Sequence, residues 1–239
     1  MTVAIVIPAL DEEQALPGVL AALPRPGAPV GPSTVATLGA IVVADNGSTD
    51  RTADVARAAG AVVVREPRRG YGAACLAALA HLRETPPDAV VFLDADGSDD
   101  PAELPRVLGP LLEGRADLCV GSRVAGAREP GAFTAAQALG NALAPALLRL
   151  LWGARVSDLG PFRAIGWEAL ERLGMRDRDY GWTVEMQARA LAAGLRYAEV
   201  PVSYRRRRQG RSKVSGTLRG TWGAARKILW TIARVRLGA

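Results

Sequence analysis

The stretch Ala89-Val-Val-Phe-Leu93 runs directly into Asp94-Ala-Asp96. Five apolar residues without polar alternation indicate a strand that is buried on both faces of a sheet. Two carboxylates separated by one residue follow where the strand leaves the core. Both can reach one hard cation such as Mg²⁺ or Mn²⁺, which prefers oxygen ligands and often shares them with substrate phosphates. A capped turn with solvated acids is the alternative.

Similar apolar runs recur along the first half of the chain and alternate with segments of helical pattern. The runs cover residues 3–7, 40–44, 61–64 and 117–121, and helices are predicted near 13–23, 51–59, 72–82 and 101–112. Asp50 and Asp100 precede two of these helices as caps. The repeated strand–helix units predict an α/β fold with a mostly parallel central sheet flanked by helices.

The rhythm changes after residue 121. The patterns predict a long apolar helix over 132–151, a turn at 157–163, a helix over 182–193 and a strand over 197–204. From residue 218 a basic amphipathic helix with tryptophan follows, so we divide the chain into an α/β domain, 1–217, and a C-terminal helix, 218–239. Such a helix either lies in a lipid interface or packs its apolar side on the body of the protein, and the pattern leaves both open.

Composition limits the class of protein. The chain has 239 residues with 49% hydrophobic content, enough for one sizeable core. Cys75 and Cys119 show neither metal-type spacing nor a disulfide framework, so we expect buried free thiols. Neither a secretory signal nor a spanning helix is expected, which predicts a cytoplasmic protein. The basic amphipathic helix would place it peripherally at the cytoplasmic face of the membrane if that helix lies in the lipid interface.

Charge is distributed unevenly. Residues 196–239 contain twelve Arg or Lys and one acid, although the net charge of the whole chain is only +6. A basic tail on an acidic body favours an anionic partner such as phosphate, nucleic acid or a membrane surface. A solvated basic helix without a partner is the alternative.

Acidic turns follow three of the predicted strands. They read Asp11-Glu-Glu13, Asp45-Asn-Gly-Ser-Thr-Asp50 and Asp94-Ala-Asp-Gly-Ser-Asp-Asp100. Ligands of open α/β sheets bind outside the carboxyl ends of the strands, so these turns are expected to face one crevice. Helix capping accounts for each turn singly, but their joint placement favours a binding site.

These motifs, in their order, resemble the family 2 glycosyltransferases, which have the GT-A fold. The resemblance begins with Val6-Ile-Pro-Ala-Leu-Asp-Glu12 and the two later acidic turns. Arg69-Gly-Tyr-Gly72, Gly121-Ser-Arg123, Ser157-Asp-Leu-Gly-Pro-Phe-Arg163 and Gly210-Arg-Ser-Lys213 are similar to the polyprenyl (dolichyl) phosphate mannosyl- and glucosyltransferase branch. The resemblance covers about residues 1–217.

The resemblance implies roles for individual residues. Asp94 and Asp96 match the family's Asp-X-Asp pair, which binds Mg²⁺ or Mn²⁺ and the nucleotide diphosphate. Ser98 stands where that branch often carries Gln, and Leu10-Asp11 stands where the family commonly shows Tyr-Asn. The residues expected to bind the nucleotide are Pro8, Ala9, Glu12, Asp45, Arg69, Gly70 and Asp94. Those expected at the acceptor or the phosphates are Arg123, Arg163, Arg211, Ser212 and Lys213.

The predicted reaction is inverting transfer of a hexose from a UDP- or GDP-sugar to a polyprenyl phosphate. A phosphate monoester is mostly dianionic at pH 7, because its second pKa is about 6, and needs positioning more than a strong base. For a hydroxyl acceptor, Asp158 and Glu185 are the candidate bases. The four arginines at 205–208 are interpreted as a solvated group.

Two other functions are also compatible with the sequence. One is a family 2 glycosyltransferase acting on a soluble hydroxyl acceptor. The other is a non-enzymatic nucleotide- or nucleic-acid-binding protein that uses the basic tail. Few aromatic residues are interleaved with the basic ones and no nucleic-acid-binding module is recognised, so a nucleic-acid partner is not expected.

Overall fold

The computed structural model describes residues 1–31, 35–133, 135–207 and 218–238, without the side chains of 135–139 and 218–225. Within this part of the chain, seven strands form one sheet. They are β1 (Thr2–Ala9), β2 (Thr37–Asp45), β3 (Val62–Arg65), β4 (Ala89–Phe92), β5 (Leu118–Ser122), β6 (Arg163–Gly166) and β7 (Tyr197–Pro201), in the order β3-β2-β1-β4-β6-β5-β7.

The sheet is mostly parallel, as the strand–helix rhythm predicts. The pairs β1–β2, β1–β4, β2–β3 and β5–β7 are parallel. The exception is β6, which runs antiparallel to both of its neighbours, β4 and β5. Strand β6 was not predicted, because it is short and its first residue is the charged Arg163, which the sequence patterns place in the turn at 157–163.

Helices cover both faces of the sheet. They are α1 (Leu16–Ala21), α2 (Thr52–Ala58), α3 (Tyr71–Leu82), α4 (Leu104–Leu112), α5 (Ala135–Trp152), α6 (Trp167–Leu173), α7 (Trp182–Ala192) and α8 (Leu218–Arg236), with a 3₁₀ turn at Pro101–Glu103 before α4. Asp100 caps that turn by accepting from the backbone N–H of Ala102 at 3.1 Å, as predicted.

Strand β1 illustrates why the apolar runs lack polar alternation. Val3, Ile5 and Ile7 pack on one side with α1, α2 and α4. Ala4 and Val6 pack on the other side with α3, α6 and α7. Both faces are therefore core, and a polar residue at any of these positions would lose its water without gaining a partner.

Helix α8 packs on the body of the protein. Ile232 is 2% exposed and lies in a third apolar cluster together with residues of α5 and α7, and Ile228 and Val235 pack against that cluster. On its outer side α8 exposes Leu229 and Trp230. The apolar stripe that the sequence shows is thus shared between the protein core and the surface.

The cysteines are buried and free, as predicted. None of the described helices combines the length and apolar character needed to cross a membrane.

Replacement of Ile232 by Ala tests whether α8 is an integral part of the fold. The change removes a buried side chain at the α5–α7–α8 contact, so we expect a loss of about 2–5 kcal/mol in the free energy of unfolding. Leu229→Ala on the same helix is the control, because Leu229 is 41% exposed. Urea denaturation measures both. Equal, small effects would contradict the packing of α8 on the body.

Candidate active site

A cavity of about 900 Å³ opens at the carboxyl ends of β1, β2 and β4. Its wall is formed by the turns that follow these strands, by the loop before α3 and by the chain after β7. The lining residues are Pro8, Ala9, Leu10, Glu12, Asn46, Arg69, Gly70, Tyr71, Ala74, Asp94, Ala95, Asp96, Ser98, Arg123, Gly131, Ala132, Tyr180, Tyr204, Arg206 and Arg207.

Eight of the residues chosen from the sequence line this cavity. They are Pro8, Ala9, Glu12, Arg69, Gly70, Asp94, Asp96 and Arg123. Topology explains the convergence, since parallel strands deliver their following turns to one edge of the sheet. The contacts predicted for Arg211, Ser212 and Lys213 lie outside the described residues.

The carboxylate pair stands at the end of β4. Asp94 accepts a hydrogen bond from the Tyr71 hydroxyl at 3.0 Å, and Asp96 accepts one from the backbone N–H of Ser98 at 2.9 Å. Burial and the neighbouring charge of Asp96 raise the pKa of Asp94 to about 7. The pair therefore carries a repulsion that a cation would relieve.

Arg207 supplies a positive charge at this pair. Its guanidinium lies 2.8 Å from Asp96 Oδ2 and 2.5 Å from Glu12 Oε1. Burial lowers the pKa of Arg207, but the charge of Asp96 and the hydrogen bond to Glu12 outweigh it and leave the pKa raised. A guanidinium thus lies where two acidic turns meet.

The prediction that the arginines of 205–208 are solvated is wrong for Arg207, which is paired in the cavity. Arg206 also lines the cavity, and Arg205 pairs with Asp100. Backbone contacts explain the arrangement, since Asp99 and Tyr204 form an isolated antiparallel bridge that brings the chain after β7 alongside the turn after β4. A uniform run of arginines gives no sign of which one turns inward. Arg208 is outside the described residues.

Asn46 shapes the loop before α3, and the sequence reasoning did not single it out. Its amide nitrogen donates to the carbonyls of Glu66 at 3.1 Å and Arg68 at 2.7 Å. Its Oδ1 accepts from the backbone N–H of Gly70 at 2.8 Å. One buried amide thereby fixes the loop that carries Arg69. Its place in the acidic turn after β2 was the available signal, because Asn at such a turn commonly bonds nearby backbone.

Asp45 does not line the cavity. It is 1% exposed, and its Oδ1 accepts from the backbone N–H of Ser48 at 3.0 Å. Arg65 lies 3.7 Å from its other carboxylate oxygen. These contacts give Asp45 a role in holding the turn after β2, which does not fit the direct contact with a base that the resemblance implies.

Arg123 is held rigidly in the cavity wall by Asp158. The guanidinium donates to both carboxylate oxygens, at 2.8 and 2.7 Å. It also lies 4.8 Å from the ring centroids of Phe133 and Tyr204. Burial acts to raise the pKa of Asp158, but the hydrogen bonds and charge of Arg123 outweigh it and hold that pKa below its ordinary value. A carboxylate so stabilised is a poor proton acceptor.

Arg163 and Glu185 lie away from the cavity. The buried guanidinium of Arg163 donates to the backbone carbonyls of Gly160 at 3.0 Å and Thr183 at 2.9 Å. Glu185 is 0% exposed and pairs with Arg189 at 3.0 Å. These geometries do not fit the phosphate contact and the general base that were expected of them, because neither side chain faces the cavity.

Asp99 lies in the same turn as Asp94 and Asp96 and was not among the site residues predicted from the sequence. It is 1% exposed, and neither carboxylate oxygen has a hydrogen-bond partner in the described part of the chain. Burial raises the pKa of Asp99 well above its ordinary value, and the charge of Asp94 adds to the effect. The surroundings of Asp99 therefore favour the neutral form of its carboxyl group over the charged form.

The cavity combines donors and acceptors suited to a metal-bound diphosphate. No three His, Cys, Asp or Glu side chains of the described residues converge on one ion position. Asp94 and Asp96 fit a cation that takes its other ligands from phosphates and water, as Mg²⁺ and Mn²⁺ often do. The guanidinium at Asp96 shows that this position accepts a positive charge.

This fold and site define a glycosyltransferase of the GT-A class, and a solved structure agrees. Glucosyl-3-phosphoglycerate synthase from Mycobacterium tuberculosis, in complex with Mn²⁺, UDP and glucosyl-3-phosphoglycerate, superposes with a TM-score of 0.74 and 26% identity, over 99% of this chain and 80% of that one. Residues 4–174 match glycosyl transferase family 2, and the chain belongs to that family.

Two proteins are similar to this chain in sequence along most or all of their length. An uncharacterized glycosyltransferase of M. tuberculosis is 44% identical over 92% of both chains. The undecaprenyl-phosphate mannosyltransferase of Micrococcus luteus is 31% identical over the full length of both. The chain is therefore a transferase of the same family as an enzyme named for a lipid phosphate.

Replacement of Arg207 by Gln tests whether its guanidinium occupies the cation position. Removal of the competing charge exposes Asp96, so we expect Mn²⁺ alone to bind about tenfold more tightly than to the wild type. Electron paramagnetic resonance of free Mn²⁺ measures the affinity without turnover. Arg206→Gln is the matched control, because Arg206 lines the same cavity but forms no ion pair with Asp96. Equal affinities in the two variants would contradict the assignment.

Proposed function

We propose that this protein transfers a hexose, with inversion, from a nucleoside diphosphate sugar to the phosphate of a polyprenyl phosphate, with a divalent cation on Asp94 and Asp96. The observation that carries the proposal is the cavity itself, in which this pair faces Arg123, Arg206 and Arg207. Carboxylates suit a cation and guanidinium groups suit phosphate oxygens. A site with both suits two phosphorylated substrates.

The donor is supported by the strand-end turns. Pro8, Ala9 and Glu12 from one turn and Arg69-Gly70 from the loop before α3 form the side of the cavity nearest β1 and β2. Asn46 fixes that loop, so its backbone is preorganised for a nucleoside. When bound, the divalent cation would supply charge stabilisation for the departing nucleoside diphosphate.

A phosphate acceptor is supported by the ion pairs of the two carboxylates that were predicted as bases, Asp158 and Glu185. Asp158 is engaged by Arg123 and Glu185 by Arg189, so neither is placed to remove a proton from a hydroxyl. A phosphate dianion needs no such base. It needs neutralisation beside the donor phosphates, which Arg123 and Arg206 would provide.

The lipid part of the acceptor is supported by the surface of α5 and α8. These packed helices expose Leu143 and Leu150 on α5 and Leu229 and Trp230 on α8, and Leu237 is exposed directly after α8. Arg226 and Arg236 of α8 are exposed as well. Tryptophan, leucine and arginine together are typical of a face that contacts an anionic lipid surface. The relative named undecaprenyl-phosphate mannosyltransferase points in the same direction.

A thermal-shift panel of UDP, GDP and their sugars, with and without Mn²⁺, tests the donor site. We expect one nucleotide to stabilise the protein only when metal is present, by about 2.7 kcal/mol at a hundredfold excess over Kd. Asp96→Ala should abolish the shift, because it removes one of the two cation ligands. Asp100→Ala is the control, since Asp100 lies in the same turn but pairs with Arg205. Absence of any shift in the wild type would refute the donor assignment.

Partition of radiolabelled sugar between organic solvent and water tests the identity of the acceptor. With polyprenyl phosphate and the stabilising nucleotide sugar, radiolabel should move into organic solvent, because the product carries the lipid. A parallel reaction with 3-phosphoglycerate is included, since the structural neighbour is named for that acceptor. Label that stays aqueous and depends on 3-phosphoglycerate would replace the lipid with a soluble acceptor.

A further inference from the structure

The loop of residues 175–181, between α6 and α7, packs against the side of the cavity that carries Arg69 and Gly70, which we call the nucleotide side. Its carbonyls at Arg178 and Asp179 accept from the backbone N–H groups of Ala73 at 2.8 Å and Gly72 at 3.3 Å. These N–H groups belong to the first turn of α3, which has no partners within the helix. The loop therefore holds the start of α3.

The contact between this loop and the residues before α3 is tight. A Cβ atom on Gly70 would lie 2.1 Å from the Arg178 carbonyl oxygen, and one on Gly72 would lie 2.1 Å from that of Asp177. Tyr180 of the same loop lines the cavity. Any shift of the loop must therefore move the segment that carries Arg69 and Gly70.

Two buried carboxylates shape the loop. Glu185 Oε2 accepts from the backbone N–H groups of Arg176 at 3.0 Å and Asp177 at 2.7 Å. Asp177 Oδ1 in turn accepts from those of Asp179 at 2.8 Å and Gly181 at 3.1 Å. Asp177 is 3% exposed and Glu185 is 0% exposed. Both charges therefore require partners inside the protein.

Helix α8 supplies cations to both carboxylates. Lys227 Nζ lies 2.9 Å from Asp177 Oδ2, and Arg234 Nη2 lies 3.0 Å from Glu185 Oε1. The side chains of both cations also lie over the Trp230 ring, at 5.5 and 4.7 Å from its centroid. The two basic residues are seven positions apart, so they share one face of the helix.

We infer that Lys227 and Arg234 are positioning residues for the nucleotide side of the active site, acting through Asp177, Glu185 and the loop of 175–181. This inference rests on the proposed function for the identity of the ligand. Its physical basis is that breaking a buried ion pair leaves an uncompensated charge, and the backbone around that charge must rearrange to reach water. The effect is expected to be larger for Lys227, the cation at Asp177, because Glu185 keeps its pair with Arg189 when Arg234 is removed. The rearranging backbone here is the support of Gly70 and Gly72.

Replacement of Lys227 by Met in the full chain tests this inference. We expect faster hydrogen exchange at the Gly72 and Ala73 amides and about a tenfold rise in the Kd of the nucleotide that stabilises the wild type. Arg226→Met is the matched control, because Arg226 is the exposed neighbour of the same charge on the same helix. Equal effects of the two variants would overturn the inference.

The double variant Asp177→Asn, Lys227→Met separates positioning from general destabilisation. Asn keeps an oxygen for the N–H groups of Asp179 and Gly181 but carries no charge, so exchange protection and affinity should largely return. A double variant that behaves like Lys227→Met alone would overturn the inference. Should the wild type bind neither UDP nor GDP, the proposed function fails, but amide exchange at Gly72 and Ala73 still decides the role of Lys227.

Discussion

The pairing of buried carboxylates with cations from the last part of the chain is the interaction on which the structure depends. Parallel strands deliver acidic turns to one edge of the sheet, and burial there makes an unpaired carboxylate costly. Arg207 pairs with Asp96 and Glu12, while Lys227 and Arg234 on α8 pair with Asp177 and Glu185. The cations reach both the active-site edge and its supporting loop.

This pairing gives a second explanation for the uneven distribution of charge along the sequence, because basic residues of the tail neutralise acidic residues of the body. A basic tail on an acidic body favours an anionic partner, and the exposed arginines of α8 remain available for one. Much of the tail's charge, however, is used internally, since Arg205, Arg207, Lys227 and Arg234 all have acidic partners within the chain. Net charge alone does not separate these uses, because it carries no information on which side chains turn inward.

Features of this fold that depend on local sequence patterns could be predicted, and features that depend on contacts between distant segments could not. Apolar runs such as that at 89–93 report burial on both faces, a local property, so the parallel strands and the edge with Asp94 and Asp96 were predicted. Strand β6 was missed because its pairing with β4 and β5 comes from distant chain segments. Arg207 was missed for the same reason, as its place depends on the bridge between Asp99 and Tyr204.

Some residues were predicted to act in the reaction only because their side chains are of a suitable chemical type, and their positions in the structure do not match that role. Asp158 and Glu185 are carboxylates near suggestive motifs, but each forms an ion pair with a partly buried arginine. An ion pair stabilises the charged form of a carboxylate and makes it a weaker proton acceptor, and such a pairing depends on the tertiary structure. Helix α8 shows the same limit, because its stripe of apolar residues is divided between Ile232 in the core and Trp230 at the surface.

The active site that results is built for charge stabilisation more than for proton transfer. Its cationic residues line the same cavity as the carboxylate pair, whereas the carboxylates suggested as bases are held in ion pairs. Such a site can lower a barrier by holding two anionic groups close together and by stabilising the charge that develops on the departing one. That demand is greatest when both substrates carry phosphate. The electrostatics of the cavity are therefore the physical ground on which we propose a phosphate group as the nucleophile.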